Sequence, residues 1–314
     1  MVSRRKSQSW AVVKCFFFFL VAGTLVSCGL YSQDRGWHNF TEPEQTIIAD
    51  VPFYPQKDFQ CGPASLAMVL TWSGQSVTPA ALIPEVYTPA KKGSLQSAII
   101  AAARRHGRIV YPINGAEHLM VEIAKGHPVI VLLNLGIFWY PKWHYAVVVG
   151  YDLPTRKIIL YSGNIPHERL SFRVFENIWR RSKYWGLLVL PPTSLPADVT
   201  EKDWLEAVIG LERTGQWSAA LNAYETGLGN WPDSYAIWMG IGNSYHSLSK
   251  LSKAISAFQK ATEIQPGNGI AFNNLAHILA KSGRQEEALA AAQKAVACGG
   301  PLLETFKKTL SEMQ

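Results

Sequence analysis

Little in this 314-residue chain supports a disulfide scaffold, a metal centre or a nucleic-acid surface. Its four cysteines, Cys15, Cys28, Cys61 and Cys298, supply no disulfide framework. His106, His118, His127 and His167 show no ligand spacing, so neither a metal nor another cofactor is expected. Charge is sparse at 17% of residues, and the formal net charge is +7. Four of the basic residues, Arg4, Arg5, Lys6 and Lys14, lie within residues 1–27, where there is no acid; removing these four from +7 leaves +3. No Lys/Arg stripe with interleaved aromatics remains, which removes nucleic acid from the expected partners. The longest hydrophobic run, residues 15–26, falls short of a membrane span.

That run, preceded by Arg4-Arg5-Lys6, reads as a secretory signal over residues 1–27. Leu25-Val26-Ser27-Cys28 resembles a bacterial lipobox, which implies cleavage before Cys28, lipidation of that cysteine and a lipid anchor in the membrane. Gly29 follows with no Asp, which by the rule for such lipoproteins implies the outer membrane, facing the periplasm, as the place in the cell envelope. An ordinary signal peptide cut nearby and a retained anchor are the alternatives. With Cys15 removed and Cys28 acylated, Cys61 and Cys298 remain as free thiols in separate regions.

The strongest chemical signal is Gln56-Lys-Asp-Phe-Gln60-Cys61-Gly62-Pro63-Ala64, followed 83 residues after the cysteine by His144-Tyr145-Ala146-Val147-Val148-Val149-Gly150. A polar turn ends in Cys-Gly and runs into an apolar helical stretch. The thiol therefore sits at a helix N-terminus, where the macrodipole and free N–H groups favour a thiolate. A histidine opening a β-branched run is held on a strand, and Cys with His is the logic of covalent catalysis. The competing reading makes Cys61 a small buried hydrophobe and His144 a strand histidine with structural bonds. If Tyr151 pairs near Lys157, the period of two brings Ser162 and Asn164 onto the face of His144. Asp152, ahead of Leu-Pro in the hairpin loop, suits a turn. The aromatic run Gly136 to Trp143 either lines a substrate cleft or covers the core or a membrane surface.

Punctuation divides the mature chain into a polar tether (28–46), a mixed α+β domain (47–191), a Pro-rich linker (192–200) and a helical region (201–314). Helical periods fall at 62–73, 95–106, 116–125 and 172–182, and strands at 108–112, 128–134, 144–151, 157–161 and 186–190. From 201 the sequence repeats every 34 residues: Trp204, Trp238 and Phe272 align, as do Ala220, Ala254 and Ala288. Trp238, Ile241, Gly242, Tyr245, Ala254, Phe258, Ala261 and Pro266 stand at the large, small and turn positions of a tetratricopeptide repeat. Three copies stack into a short superhelix with residues 301–313 as a capping helix. Cys298 and Gly299-Gly300 end the last repeat.

Residues 47–191 resemble the papain-like cysteine peptidases of the double-glycine, bacteriocin-processing kind. The resemblance rests on Gln, then Cys-Gly-x-Ala-x-Leu-x-Met, over 56–68 and on the His-hydrophobic-Gly hairpin at 144–150. It implies a papain-like α+β fold joined to an all-α superhelix, and acyl transfer through a thioester. Cys61 is then the nucleophile, His144 the base, Asn164 or Ser162 the group orienting the ring, and Gln56 with the Cys61 N–H the oxyanion donors. Two positions depart from the family: the Gln stands five residues before the Cys rather than six, with Gln60 as fallback, and Ser162 occupies the place of the family's Asp. Asn164 is the preferred orienting residue and Asp152 the other alternative. The expected activity is cleavage of a peptide or protein, with the repeats docking a substrate or another protein. A catalytically degenerate peptide-binding scaffold and a cysteine acyltransferase or cell-wall amidase are the alternatives.

Overall fold

A computed structural model describes residues 43–137 and 139–314. The expected signal, the lipidation site Cys28 and most of the tether lie outside the described residues. In chain order the first part comprises β1 (Gln45–Ile47), α1 (Cys61–Trp72), α2 (Pro79–Val86), the short hairpin β2 (Tyr87–Thr88) and β3 (Gly93–Ser94), and α3 (Gln96–Arg105). It continues with β4 (Ile109–Asn114), α4 (Ala116–Ala124), β5 (Val129–Asn134), β6 (Trp143–Asp152), β7 (Lys157–Ser162), β8 (Ile165–Ser171), α5 (Phe172–Arg180) and β9 (Trp185–Leu190). The strand β1 thus starts inside the stretch assigned to the tether.

The sheet runs in the order β4-β9-β5-β6-β7-β8, with β1 added on β6. Every pair is antiparallel. Strand β6 is the longest and is flanked along its length in two stages. The ladder with β5 covers residues 143–148, whereas the ladder with β7 begins only at Val147. The side of residues 143–146 away from β5 is therefore left for something other than a strand.

That place is taken by the start of α1. This helix is apolar all round, and Leu66, Met68, Val69 and Leu70 are fully buried, as expected of a core helix. Burial of each such side chain is worth about 1.5–3 kcal/mol. Pro63 in its first turn lacks an N–H where none would be bonded within the helix. Helix α2 begins at Pro79 behind Thr78, whose hydroxyl accepts the Ala81 N–H, an N-cap of ordinary kind.

The second part is α6 (Glu201–Glu212), α7 (Trp217–Leu228), α8 (Tyr235–Ser247), α9 (Leu251–Ile264), α10 (Gly269–Lys281), α11 (Gln285–Cys298) and α12 (Leu303–Met313). Large and small residues interlock between successive helices. A Cβ on Gly240 would stand 2.2 Å from the Tyr224 ring, and one on Gly242 2.5 Å from the Phe258 ring. Trp204, Tyr224 and Phe258 are buried. Phe306, Thr309 and Met313 of α12 are buried against the last repeat, and Gly299 and Gly300 stop α11 with positive φ.

The stretch between the two parts is pinned. The buried carboxylate of Glu122 on α4 accepts the Ala197 N–H at 2.7 Å, and its other oxygen meets His127 Nδ1 at 2.7 Å. Lys125 Nζ donates to the Ala197 carbonyl and Tyr111 to that of Asp198. Thr214, beyond α6, reaches the carbonyl of Arg104 on α3. The described residues fall in one compact unit. Among the described residues no helix is long and apolar enough to cross a membrane.

Candidate active site

Cys61 is the first residue of α1 and is partly buried. Its sulfur faces the backbone N–H of Tyr145, the residue after His144, together with the N–H groups of Gly62 and of Cys61 itself. The Tyr145 carbonyl accepts the Gln56 side-chain amide at 3.3 Å. The strand edge that β7 leaves open is thus claimed by the two motif residues, Cys61 for its donor and Gln56 for its acceptor. The Gln56 N–H donates to the Gly163 carbonyl at 3.0 Å, which fixes the Gln56 backbone against the β7–β8 turn. The Gln56 amide has a second N–H hydrogen beyond the one it gives Tyr145.

His144 lies opposite Leu133 on β5, and its Nε2 is 3.1 Å from Ser162 Oγ. With Nε2 engaged, Nδ1 is the nitrogen left for the thiol. Ser162, not Asn164, is the partner, and the reason is local. Ser162 pairs with Ile165, and Gly163-Asn164 form the two-residue turn between them. Gly163 takes φ +59°, as the first central residue of a II′-type turn requires. The ladder that would carry Asn164 opposite His144 ends before reaching it, so Asn164 is exposed in the turn.

Asp152 is also elsewhere. Its carboxylate accepts the Thr155 N–H at 3.0 Å and meets Arg169 at 3.4 Å, which makes it a turn residue as its Leu-Pro context suggests. Gln60 precedes the helix, and its side chain makes no cap bond. Phe59 beside it takes φ +61° with an exposed ring, the tight corner by which the chain reaches Cys61.

The electrostatics correct the expected thiolate. Burial pushes the Cys61 thiol above its ordinary value, and the surrounding N–H groups offset this only in part. Burial, with Lys142 adding to it, lowers His144 from 6.5 to about 4. The resting pair is therefore a neutral thiol and a neutral imidazole. A helix start favours the anion, but desolvation outweighs it here.

One neighbour, Ser94, carried no sequence signal. The Tyr145 hydroxyl donates to the Ser94 carbonyl at 3.2 Å, and the Ser94 side chain lies where a Cβ on Gly62 would be, 2.3 Å from that point. Gly62 thus admits the β2–β3 hairpin against the helix start. The segment before His144 forms a hairpin tip, with the Ile137 and Tyr140 backbones bridged. Asn134 Oδ1 accepts from Gly136 and Lys142, and Arg181 holds the Gly136 carbonyl. Trp139, Tyr140 and Trp143 are exposed at 80%, 76% and 50%, so these three rings do not cover the core. Phe138 lies outside the described residues.

Residues 48–187 match the Peptidase_C39 like family, and residues 205–269 and 257–290 match two tetratricopeptide repeat families. A comparison with curated proteins gives no match. Among solved structures, a C39-like peptidase from Bacillus anthracis is similar at 18% identity, covering 47% of this chain and 98% of that one, with a TM-score of 0.40. The Yersinia enterocolitica type III secretion chaperone SycD, in complex with a peptide of the translocator YopD, is 13% identical over 36% of this chain and 87% of its own, with a TM-score of 0.34. The TPR2B domain of yeast Sti1 in its pHsp70 complex is 15% identical over 36% and 94%, also at 0.34. With the family matches joined to the observed α+β sheet domain and helical array, the chain carries a Peptidase_C39-like domain over residues 48–187 followed by tetratricopeptide repeats.

Proposed function

We propose that this protein is an exported cysteine peptidase, lipid-anchored through Cys28 in the bacterial cell envelope, that cleaves a peptide or protein docked in part by its repeats. The observation that carries the chemistry is the placement of Cys61 Sγ against the Tyr145 N–H while Ser162 holds the far nitrogen of the adjacent His144. In the acylation step the thiol proton passes to His144 Nδ1 as the sulfur bonds the scissile carbonyl carbon. The tetrahedral oxyanion is met by the Cys61 N–H and the second N–H of Gln56. Collapse breaks the C–N bond, and the His144 proton leaves on the amine. Water, deprotonated by His144, then attacks the thioester; the C–S bond breaks and the thiol is restored. Ser162 is a positioning residue that fixes the ring.

Because both partners rest neutral, His144 acts as a general base during attack, as in a serine hydrolase, rather than as one half of a preformed ion pair. That neutrality, with a hydroxyl in place of a carboxylate behind the histidine, also favours a second reading: a domain that grips peptides without cutting them. The two separate on one experiment. Purified chain is reacted with iodoacetamide and with a peptidyl epoxide, comparing wild type, Cys61→Ala and His144→Ala. Specific epoxide labelling at Cys61 that needs His144 supports the peptidase. Retained peptide affinity with no epoxide labelling at Cys61, or with labelling indifferent to His144, overturns it in favour of the binding domain.

A further inference from the structure

A cleft of about 560 Å³ lies between β4 and α6, away from Cys61, where the sheet domain meets the first repeat. Its charges are sorted. Arg104, Arg213, Asp203 and Glu206 all line it, and the Arg104 guanidinium lies at Gly210, toward the Arg213 end of α6 and away from Asp203 and Glu206 in the first half of the helix. Among the described residues no ion pair joins either arginine to either acid. The Arg104 Nε–H is buried with no hydrogen-bond partner, and its guanidinium lies flat on α6 where Gly210 leaves room, 2.5 Å from the point a Cβ would occupy. Arg213 lies near enough to add a second positive charge.

Positions 203, 206 and 210 share one face of α6, Arg213 continues that face as the helical C-cap, and the helix rise sets the spacing. Glu206 and Arg213 are about 10 Å apart along the axis, and Asp203 and Arg213 about 15 Å. The floor between them is apolar, formed by Val110, Pro112 and Ile209. Strand β4 ends the sheet on this side, and among the described residues its main-chain groups bond only to β9. Such an edge is open to an extended backbone, with Pro112 supplying only its carbonyl because it has no N–H.

We propose that this cleft binds a short zwitterionic peptide of about three or four residues, its carboxylate on Arg104 and Arg213, its ammonium on Glu206 and Asp203, and apolar side chains on the floor, since at about 3.3 Å per residue such a peptide spans the two charged ends. An arginine pair favours a carboxylate through paired N–H···O bonds. Neither a longer chain nor a capped peptide satisfies both ends. The site is independent of Cys61 and does not rest on peptidase activity.

The test is calorimetric titration of the full chain, carrying Cys61→Ala to prevent turnover, with Ala-Val-Ala and Ala-Val-Val-Ala. Each is compared as free peptide, N-acetylated and C-amidated. Binding of the free forms, weakened about tenfold or more by either cap, is expected. Arg213→Gln should weaken the free peptide as C-amidation does. Glu206→Gln should weaken it too, yet leave the N-acetylated peptide unaffected by comparison, because the two changes remove the same contact. Both side chains are exposed, and an unchanged unfolding midpoint verifies that each variant folds. No binding at millimolar concentration, capped peptides that bind as well as free ones, or affinities indifferent to both substitutions each overturn the proposal.

Discussion

Replacing Ser162 by Asp puts a carboxylate behind the histidine and should change the resting state of the pair. Ser162 Oγ stands 3.1 Å from His144 Nε2. A unit negative charge at that distance stabilises imidazolium by about 5 kcal/mol at an effective dielectric of about 20 and by about 1 kcal/mol in bulk water. His144 is half-buried, and its new partner would itself lose some hydration, so a net gain of about 1.5–4 kcal/mol is reasonable, corresponding to about one to three pKa units. His144 then rises from about 4 to between about 5 and 7. The population of the thiolate–imidazolium form grows by the same factor, about ten- to a thousandfold, because the two sites titrate as a pair. The assay is the rate of iodoacetamide alkylation of Cys61 from about pH 5 to pH 9, with the His144 ring proton followed by NMR. Wild type should show the late rise of a thiol above its ordinary value, and Ser162→Asp an earlier rise. A correctly folded Ser162→Asp protein with an unchanged profile and an unmoved His144 resonance would refute the reasoning, since the bond to residue 162 could then not be what sets the ring's electrostatics.

Further outcomes follow from other parts of the molecule. Ser162→Ala should slow labelling by a peptidyl epoxide, whereas Asn164→Ala should leave it unchanged; the reverse order would return the positioning role to the turn. Because His144 is lowered in the folded state from 6.5 to about 4, the unfolded chain binds more protons between those values. The contribution is present above about pH 6.5 and lost as pH falls toward 4, amounting to at most about 3 kcal/mol and less for solvent screening of the half-buried ring. Chemical denaturation of wild type and His144→Gln at both pH values should show the variant losing less stability on acidification. Gly242→Ala drives a methyl into the Phe258 ring and should cost about 1–3 kcal/mol, read as a lower urea midpoint. Glu122→Ala removes the acceptor of the Ala197 N–H and the partner of His127. It should speed limited proteolysis within 192–200 while leaving Cys61 labelling intact; unchanged protease resistance would show that the linker is held by other contacts.

The parts of the fold legible in the sequence are those with strong periodicity. The repeats announce themselves because each large residue must meet a small one at a fixed interval, and Gly240, Gly242, Tyr224 and Phe258 meet as such a pattern demands. The helix beginning at Cys61 and the strand carrying His144 were legible from a run of apolar residues after Cys-Gly and a β-branched run after the histidine. Strand β8, Ile-Pro-His-Glu-Arg-Leu-Ser, was not, since an exposed edge strand has no buried face to impose alternation. Helix α2 is short and contains Pro84, which hides its period. The choice between Ser162 and Asn164 turned on where β7 stops and on the register shift between Val148 and Gly150, neither of which a count of residues reveals. The protonation state of Cys61 is hidden from the sequence for a similar reason. A helix start is local and visible in sequence, whereas burial of the thiol depends on strands and hairpins far along the chain.

The bond from Glu122 to the Ala197 N–H has a consequence for how distance is measured on this molecule. A flexible connector would let a captured polypeptide search, and the local concentration it presents to a second site would vary with connector length. With residues 197 and 198 bonded to Glu122, Lys125 and Tyr111, the chain entering the helical array is tied to the sheet domain rather than left as a free connector. On the proposed reading, in which the repeats dock the substrate, a polypeptide held by the array would meet Cys61 at a set number of residues from its point of attachment, so that the chain would work as a ruler and any change in spacer length would be taken up by slack in the guest.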